Sequence, residues 1–370
     1  MLTRRSFLSL MLPGAALLCA AWPGTCPGNM PASFLPVREM TGIIRQKSFF
    51  ADDAWDAALL QEASLQGSAA GVTDCLRRFD RYASYTSTPD LARMKSLMAD
   101  HPAGVGMDIF EDRQKRVRCV PYPGSAAESA GILYGDILKG VDGQAVRDKA
   151  LGDIALAIRG ESGTVVVLAV HGEGGPMRTV VAERTPGSFP TVMRTRISPP
   201  VLRIYRFTRQ TPQELASFLD DLPDGEGCII DLRGNTGGNM EAGVECARLF
   251  LRKGETLMRL KSRGSTRDVT ATRNGKWAGL PLSLVQDRFT ASAAELFIAA
   301  LTSAGRARSH GSQSAGKACV QNLFTLSDGS VLKLTTEKML YPGRDDDWEG
   351  VGIPPSPPED PRPQGAIHAQ

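Results

Sequence analysis

The sequence predicts a mixed α/β, multidomain chain: a helical N-terminal segment, a small β-rich domain and a layered α/β core. Three observations predict it. Between about 31 and 102, apolar residues recur at three- and four-residue spacing. Short alternating runs separated by glycine turns fill 103–186. From 187 to 356, buried-strand patterns run into glycine turns and then helices, as α/β layers do. At 370 residues the chain is long enough for two domains with cores of their own.

The first 30 residues stand apart. Thr3-Arg-Arg-Ser-Phe-Leu8 precedes an apolar run to Trp22, with small residues at Ala20 and Ala21. This reads as an export signal, and Arg4-Arg5 followed by Ser-Phe-Leu looks like a twin-arginine leader to the periplasm or cell envelope. The run is shorter than the roughly 20 residues of a comfortable span; left uncleaved, it would associate the chain with a membrane. Without those two arginines, 41 of the 43 basic residues face 40 acidic ones, which argues against a nucleic-acid partner. The seven cysteines include no Cys-x-x-Cys, and no spaced His/Asp/Glu cluster occurs, so neither metal nor cofactor is expected.

Helices are expected over 54–63, 70–79 and from Thr88-Pro-Asp to Met98. These helices are also where a homo-oligomer would form. The β-rich domain then reads as strands at 104–110 and 117–121, a short helix at 125–131, and a strand over 135–143 ending in an Asp-Gly turn. A helix at 151–158 and strands at 164–171 and 178–183 close it. This order, with Ala130-Gly-Ile-Leu-Tyr-Gly-Asp-Ile-Leu-Lys-Gly-Val-Asp-Gly143, resembles a PDZ domain of the bacterial protease type. Such domains add an extended peptide to a sheet edge and capture its terminal carboxylate with backbone amides. The resemblance puts that loop at Gly104, Val105, Gly106 and Met107.

In the core, a strand at 201–206 leads to a capped helix beginning at Thr211-Pro-Gln-Glu. Gly227-Cys-Ile-Ile-Asp-Leu232 is a buried strand that runs into Arg233-Gly-Asn-Thr-Gly-Gly238, and a helix follows over 241–251. Further strands are expected at 320–326 and 331–336, and a proline-rich tail over 357–370.

Two short stretches carry candidate chemistry. Thr290-Ala-Ser-Ala-Ala-Glu295 opens an apolar helix and is a capping box. A serine there is also exposed at a helix N-terminus that favours negative charge, with the Ala293 N–H as an oxyanion donor. Lys317, within Ser312-Gln-Ser-Ala-Gly-Lys-Ala-Cys-Val-Gln321, is either a solvated loop charge or a lysine held against apolar packing. In the second case its pKa falls below about 10.4 and the amine becomes a general base. The 233–238 turn lacks the pattern of a nucleotide loop; its amides suit a carbonyl, with Gly237 favoured as the second oxyanion donor and Gly238 close behind. Of four histidines only His310 lies near the serine helix, and no Gly-x-Ser-x-Gly elbow surrounds Ser292.

Together these stretches resemble the C-terminal processing (tail-specific) proteases, a family of serine–lysine endopeptidases. Leu76-Arg-Arg-Phe-Asp-Arg-Tyr-Ala-Ser-Tyr85 is similar to the family's segment before its PDZ domain. The 229–238 stretch matches its Asp-Leu-Arg-x-Asn-x-Gly-Gly turn, and Gly352-Ile-Pro-Pro355 its closing motif. The resemblance implies a crotonase/ClpP-like layered core, no cofactor, Ser292 as nucleophile, Lys317 as base and Gln321 as the residue orienting it. It implies protein substrates bound by their C-terminal segments. Gly316-Lys-Ala-Cys-Val-Gln321 departs from the family's Gly-Lys-Gly-Thr-Val-Gln, and Ala294 replaces its last serine. The alternatives are a catalytically weak PDZ scaffold and a serine hydrolase using His310.

Overall fold

The computed structural model describes residues 36–52, 55, 68–100, 103–112, 114–149, 151–187, 189–195, 198–223 and 225–357. The expected leader, the helix at 54–63 and the tail beyond 357 lie outside these residues.

Helices α1 (Val37–Lys47), α2 (Ala69–Arg77) and α3 (Thr88–Asp100) build the N-terminal segment. Ser68 caps α2 by accepting the Gly71 N–H at 3.1 Å. The segment is not purely helical, as its sequence suggested. Between α2 and α3 runs β1 (Ser84–Thr86), antiparallel to β16 (Val331–Leu340) of the core. Three residues are too few for alternation to register as a strand. Buried Asp80 fastens the junction, accepting the Thr335 N–H at 2.7 Å and the Thr335 hydroxyl at 3.0 Å.

The β-rich domain is a six-stranded sheet in the order β2 (Met107–Glu111), β3 (Val117–Pro121), β4 (Ile137–Val141), β6 (Val165–His171) and β7 (Arg178–Glu183), with β5 (Gln144–Ala145) on β4. Asp142 and Gly143, at φ 48° and 75°, make the turn between β4 and β5. Helices α4 (Ala126–Ser129) and α5 (Leu151–Ile158) cover the sheet, with α5 packed beside β2, whose outer edge is unpaired among the described residues.

Two further sheets enclose the main core. One is β14 (Arg308–Gly311), β13 (Leu282–Gln286), β10 (Cys228–Asp231) and β9 (Val201–Ile204), all parallel, with β8 (Val192–Arg194) antiparallel at its edge. The other is antiparallel: β1, β16, β11 (Thr256–Lys261) and β12 (Thr266–Thr270), with β15 (Cys319–Thr325) also on β16. Strands β8 and β11 to β14 were not legible in the sequence. The exposed β12, Thr-Arg-Asp-Val-Thr, has no apolar face to announce it. Helix α6 (Thr211–Asp220) starts one residue away from its expected cap. Gln210 takes the cap position, and the Thr211 hydroxyl accepts the Thr208 N–H at 2.8 Å. Helices α7 (Met240–Arg248) and α8 (Ala293–Ser303) complete the layers. Every residue of α8 from Ala293 to Leu301 is buried, because it packs on α7, on β14 and on β11 at once. An apolar surface all round the helix suits that position.

The turn after β10 is locked to the main chain around it. Phe207 N–H donates to the Gly237 carbonyl at 2.8 Å, and Asn239 N–H to the Phe207 carbonyl at 2.8 Å. Gly238, at φ 126°, would bring any Cβ into that Phe207 oxygen. Gly238→Ala is therefore expected to cost about 2–4 kcal/mol. A thermal or urea melt of the full chain checks it; an unchanged midpoint contradicts this account of the turn.

Candidate active site

Two loops meet at the N-terminus of α8. Asp287 Oδ1 accepts the N–H groups of Gly234 (3.1 Å), Phe289 (3.0 Å) and Thr290 (3.1 Å), joining the glycine turn to the loop that carries Ser292. The Ala291 N–H donates to the Asn235 carbonyl at 2.9 Å, and the Thr290 hydroxyl to the Leu232 carbonyl at 2.9 Å. Ser292 follows at φ 57° and ψ −119°, a conformation at home at the first central residue of a type II′ turn and rarely held by a residue with a side chain. Nothing in the sequence signalled that strain.

Glu295, fully buried in the first turn of α8, holds the serine's backbone. Its Oε2 accepts the Ser292 N–H at 2.8 Å, the capping-box contact expected from the sequence. The same oxygen accepts the Lys317 N–H at 2.8 Å, and Oε1 accepts the Gly316 N–H at 2.6 Å and the Ser314 hydroxyl at 2.6 Å. One carboxylate thus ties the serine to the lysine loop. Burial raises its pKa above the ordinary carboxylate value, and these four donors offset that rise only in part.

The lysine loop is also roofed by the chain's last described residues. Ile353 N–H donates to the Ser314 hydroxyl oxygen at 2.7 Å, and Gly350 N–H to the Gly316 carbonyl at 2.9 Å. Gly316 takes φ 84°, whereas Ala318 lies outside the left-handed region, so alanine there meets no conformational conflict. Cys319 is buried, and its thiol is pushed up by burial and the neighbouring Glu349, which keeps it protonated. Lys317 is shifted the other way. Burial holds its pKa below the ordinary lysine value, against the carboxylates of Glu349 and Glu295, which favour the ammonium.

The expected oxyanion residues are together, with one change. A Cβ on Gly237 would lie 2.7 Å from the Ser292 Cβ and 2.9 Å from the Ala293 nitrogen, so the glycine turn closes directly over the serine. The Gly237 N–H, however, donates to Asn235 Oδ1 at 2.8 Å and is not free for a substrate. Asn235 is itself fixed by its Nδ2, which donates to the Ile204 carbonyl at 3.0 Å. Among the described residues, the N–H groups of Gly238 and Ala293 make no hydrogen bond.

Gln321 also differs from expectation. A bulge between Val320 and Gln321 turns its side chain back, and its Nε2 donates to the Cys319 carbonyl at 2.8 Å instead of meeting Lys317. His310 is exposed on β14 and makes no hydrogen bond to Ser292. In the β-rich domain, Gly104 N–H is already donated to the Thr185 carbonyl at 3.2 Å, whereas those of Val105 and Gly106 carry no partner among the described residues. Gly106 has φ 73° and Met107 opens the edge strand β2, so the loop leads straight to that edge.

The contributions of Glu295, Asn235, Asp287 and Glu349 were not read as part of a site from sequence. Glu295 was visible as a helix cap; its three donors from 314–317 come from 19 to 22 positions away and leave no local pattern.

Residues 200–356 match peptidase family S41, and residues 117–171 match the PDZ domain. The chain is 29% identical over 288 residues to the carboxy-terminal processing protease CtpA of Bacillus subtilis, covering 77% of this chain and 61% of that protein. A probable CtpA-like serine protease of Staphylococcus aureus is 28% identical over 291 residues, 78% of this chain and 58% of the other. The chain spans about three fifths of the length of these curated relatives. The solved photosystem II D1 C-terminal processing protease is similar with a TM-score of 0.71 at 25% identity, over 86% of this chain and 91% of that one. Residues 200–356 thus form a peptidase family S41 domain preceded by a PDZ domain, and over about three quarters of its length the chain is similar to carboxy-terminal processing proteases.

Proposed function

We propose that this chain is an exported serine endopeptidase that captures the C-terminal segment of a protein substrate and cleaves it with Ser292 and Lys317. The observation that carries this reading is the shared Glu295 carboxylate, which bonds the backbone N–H of both residues at 2.8 Å. Glu295 thus joins the backbones of Ser292 and Lys317, and burial favours the neutral form of the Lys317 amine.

In this reading Lys317 Nζ takes the proton from Ser292 Oγ as the oxygen bonds to the scissile carbonyl carbon. The carbonyl electron pair moves onto oxygen, where the Ala293 and Gly238 N–H groups receive it; Gly238 takes the place first expected of Gly237. Collapse expels the amine, which leaves with the proton from Lys317, and water then releases the acyl group by the same route. The edge of β2 and the amides of Val105 and Gly106, without partners among the described residues, favour an extended peptide with a terminal carboxylate. Export rests on the leader pattern around Arg4 and Arg5.

Ser292→Ala and Lys317→Ala are each expected to lose at least about 100-fold in digestion of an unstructured protein, followed by gel or mass spectrometry. Wild-type cleavage by either variant sinks the dyad. The pH dependence has a definite sign. With the Lys317 pKa depressed, the neutral base persists to lower pH than free lysine allows; cleavage rises with pH through that depressed value and is lost as Lys317 protonates. A rate that stays flat through the acid limb contradicts the role of Lys317.

Glu295→Gln tests the frame. An amide presents a donor where the carboxylate accepts two N–H groups, leaving buried donors unpaired at about 1–3 kcal/mol each. We expect a lower melting midpoint together with slower labelling of Ser292 by a serine-directed probe. Full labelling at the wild-type rate shows that the carboxylate does not organise the site.

A further inference from the structure

The segment ahead of the PDZ domain reaches the lysine loop. Arg81 and Tyr82 lie between α2 and β1, directly after Asp80, whose bonds to Thr335 fix this stretch on the core. The Lys317 Nζ sits 5.2 Å from the centroid of the Tyr82 ring, a distance at which a ring face attracts a cation. Among the described residues Nζ has no hydrogen-bond partner, so the ring face is the contact that the geometry defines for it.

The ring is itself held. Tyr82 hydroxyl donates to Glu349 Oε1 at 2.8 Å, and Glu349 Oε2 accepts the N–H of Ala318, the residue after the lysine, at 2.7 Å. Arg81 closes the group: it pairs with Glu349 at 2.7 Å, lies 4.6 Å from the Tyr82 ring centroid and approaches the Gly316 carbonyl at 3.5 Å. A single carboxylate therefore spaces the ring and the lysine backbone, while Glu295 holds the same loop from the other side.

We propose that Tyr82 is a positioning residue for Lys317: its ring face holds the Nζ and keeps water from it, and the Tyr82–Glu349–Ala318 chain sets the spacing. The inference rests on the reading of Lys317 as the base. The charged and titratable groups that face Lys317 are Glu349, Glu295, Cys319, Arg81 and Lys333, and burial outweighs their combined effect. Taking away the ring loses its attraction for the ammonium but relieves burial, the larger effect on Lys317, so hydration of the ammonium raises the pKa and moves the pH midpoint of the reaction upward.

The test follows the rate at which a fluorophosphonate probe labels Ser292 in the full chain from pH 5 to 10, with a thermal melt of each variant. Tyr82→Leu is expected to raise the midpoint by about one pH unit and to slow labelling at neutral pH about tenfold. Tyr82→Phe keeps the ring face and is expected to keep the wild-type midpoint, with a rate between those of wild type and Tyr82→Leu. Where Tyr82→Leu does not fold, Tyr82→Met replaces it with the same expectation. A leucine or methionine variant that melts lower but keeps the wild-type midpoint overturns the proposal, since a merely structural ring does not tune the base. A Tyr82→Phe midpoint raised as far as that of Tyr82→Leu overturns it as well. Lys317→Ala labelled at the wild-type rate at every pH sinks the base reading itself; an unlabelled Lys317→Ala beside an unshifted Tyr82→Leu sinks only the role of Tyr82.

Discussion

Everything at the candidate site depends on one buried carboxylate. Glu295 is removed from water, where an unpaired charge costs several kcal/mol, so its four donors have to arrive together. Those donors come from the start of α8 and from the loop before β15. The loop in turn is shaped by Ile353 and Gly350 near the end of the described chain. A helix cap worth about 1 kcal/mol in an ordinary helix here becomes the point where three separated stretches are registered against each other.

The layers around α8 explain why that registration is rigid. The helix is enclosed by α7 and by both core sheets, and Phe297 within it packs at 5.9 Å on Phe207 and 6.2 Å on Phe250. The PDZ domain adds a contact just upstream of the serine. Phe289 meets Phe110 at 5.3 Å and Tyr134 at 5.6 Å, with the Arg118 guanidinium 5.6 Å from its ring. Tyr134 also bonds Asp287, the residue that gathers the glycine turn and the loop that carries Ser292. The helical segment supplies Tyr82 and Arg81 on the remaining side. The site is thus walled by all three parts of the chain.

How much of this was legible in the sequence follows from the range of the interactions. The PDZ elements were readable because each is a local pattern: strand β3 and helix α5 stand at their expected bounds, and the Asp142-Gly143 turn names itself. The buried β10 and its glycine turn were readable for the same reason. Strands β11 and β12 were not, since they draw their order from pairing with β16 about 80 positions further on in the case of β11, and from an exposed, charged sequence in that of β12. Ser292, Lys317 and Gly237 could be named as candidates from motif spacing. The diversion of the Gly237 N–H to Asn235, and of Gln321 to Cys319, could not, because each is settled by a side-chain rotamer within a turn or bulge.

In the proposed reading, Ser292 is the residue at which folding and chemistry want different things. Its φ of 57° is ordinary for glycine and strained for serine, by about 1–3 kcal/mol. Loss of the hydroxyl by exchange to glycine would therefore relax the chain while removing the atom the proposed reaction needs. Selection for a well-folded protein alone would drift away from serine at this position. Only selection for turnover can keep it there, so a relative that had given up catalysis would be free to lose this side chain early and gain stability by doing so.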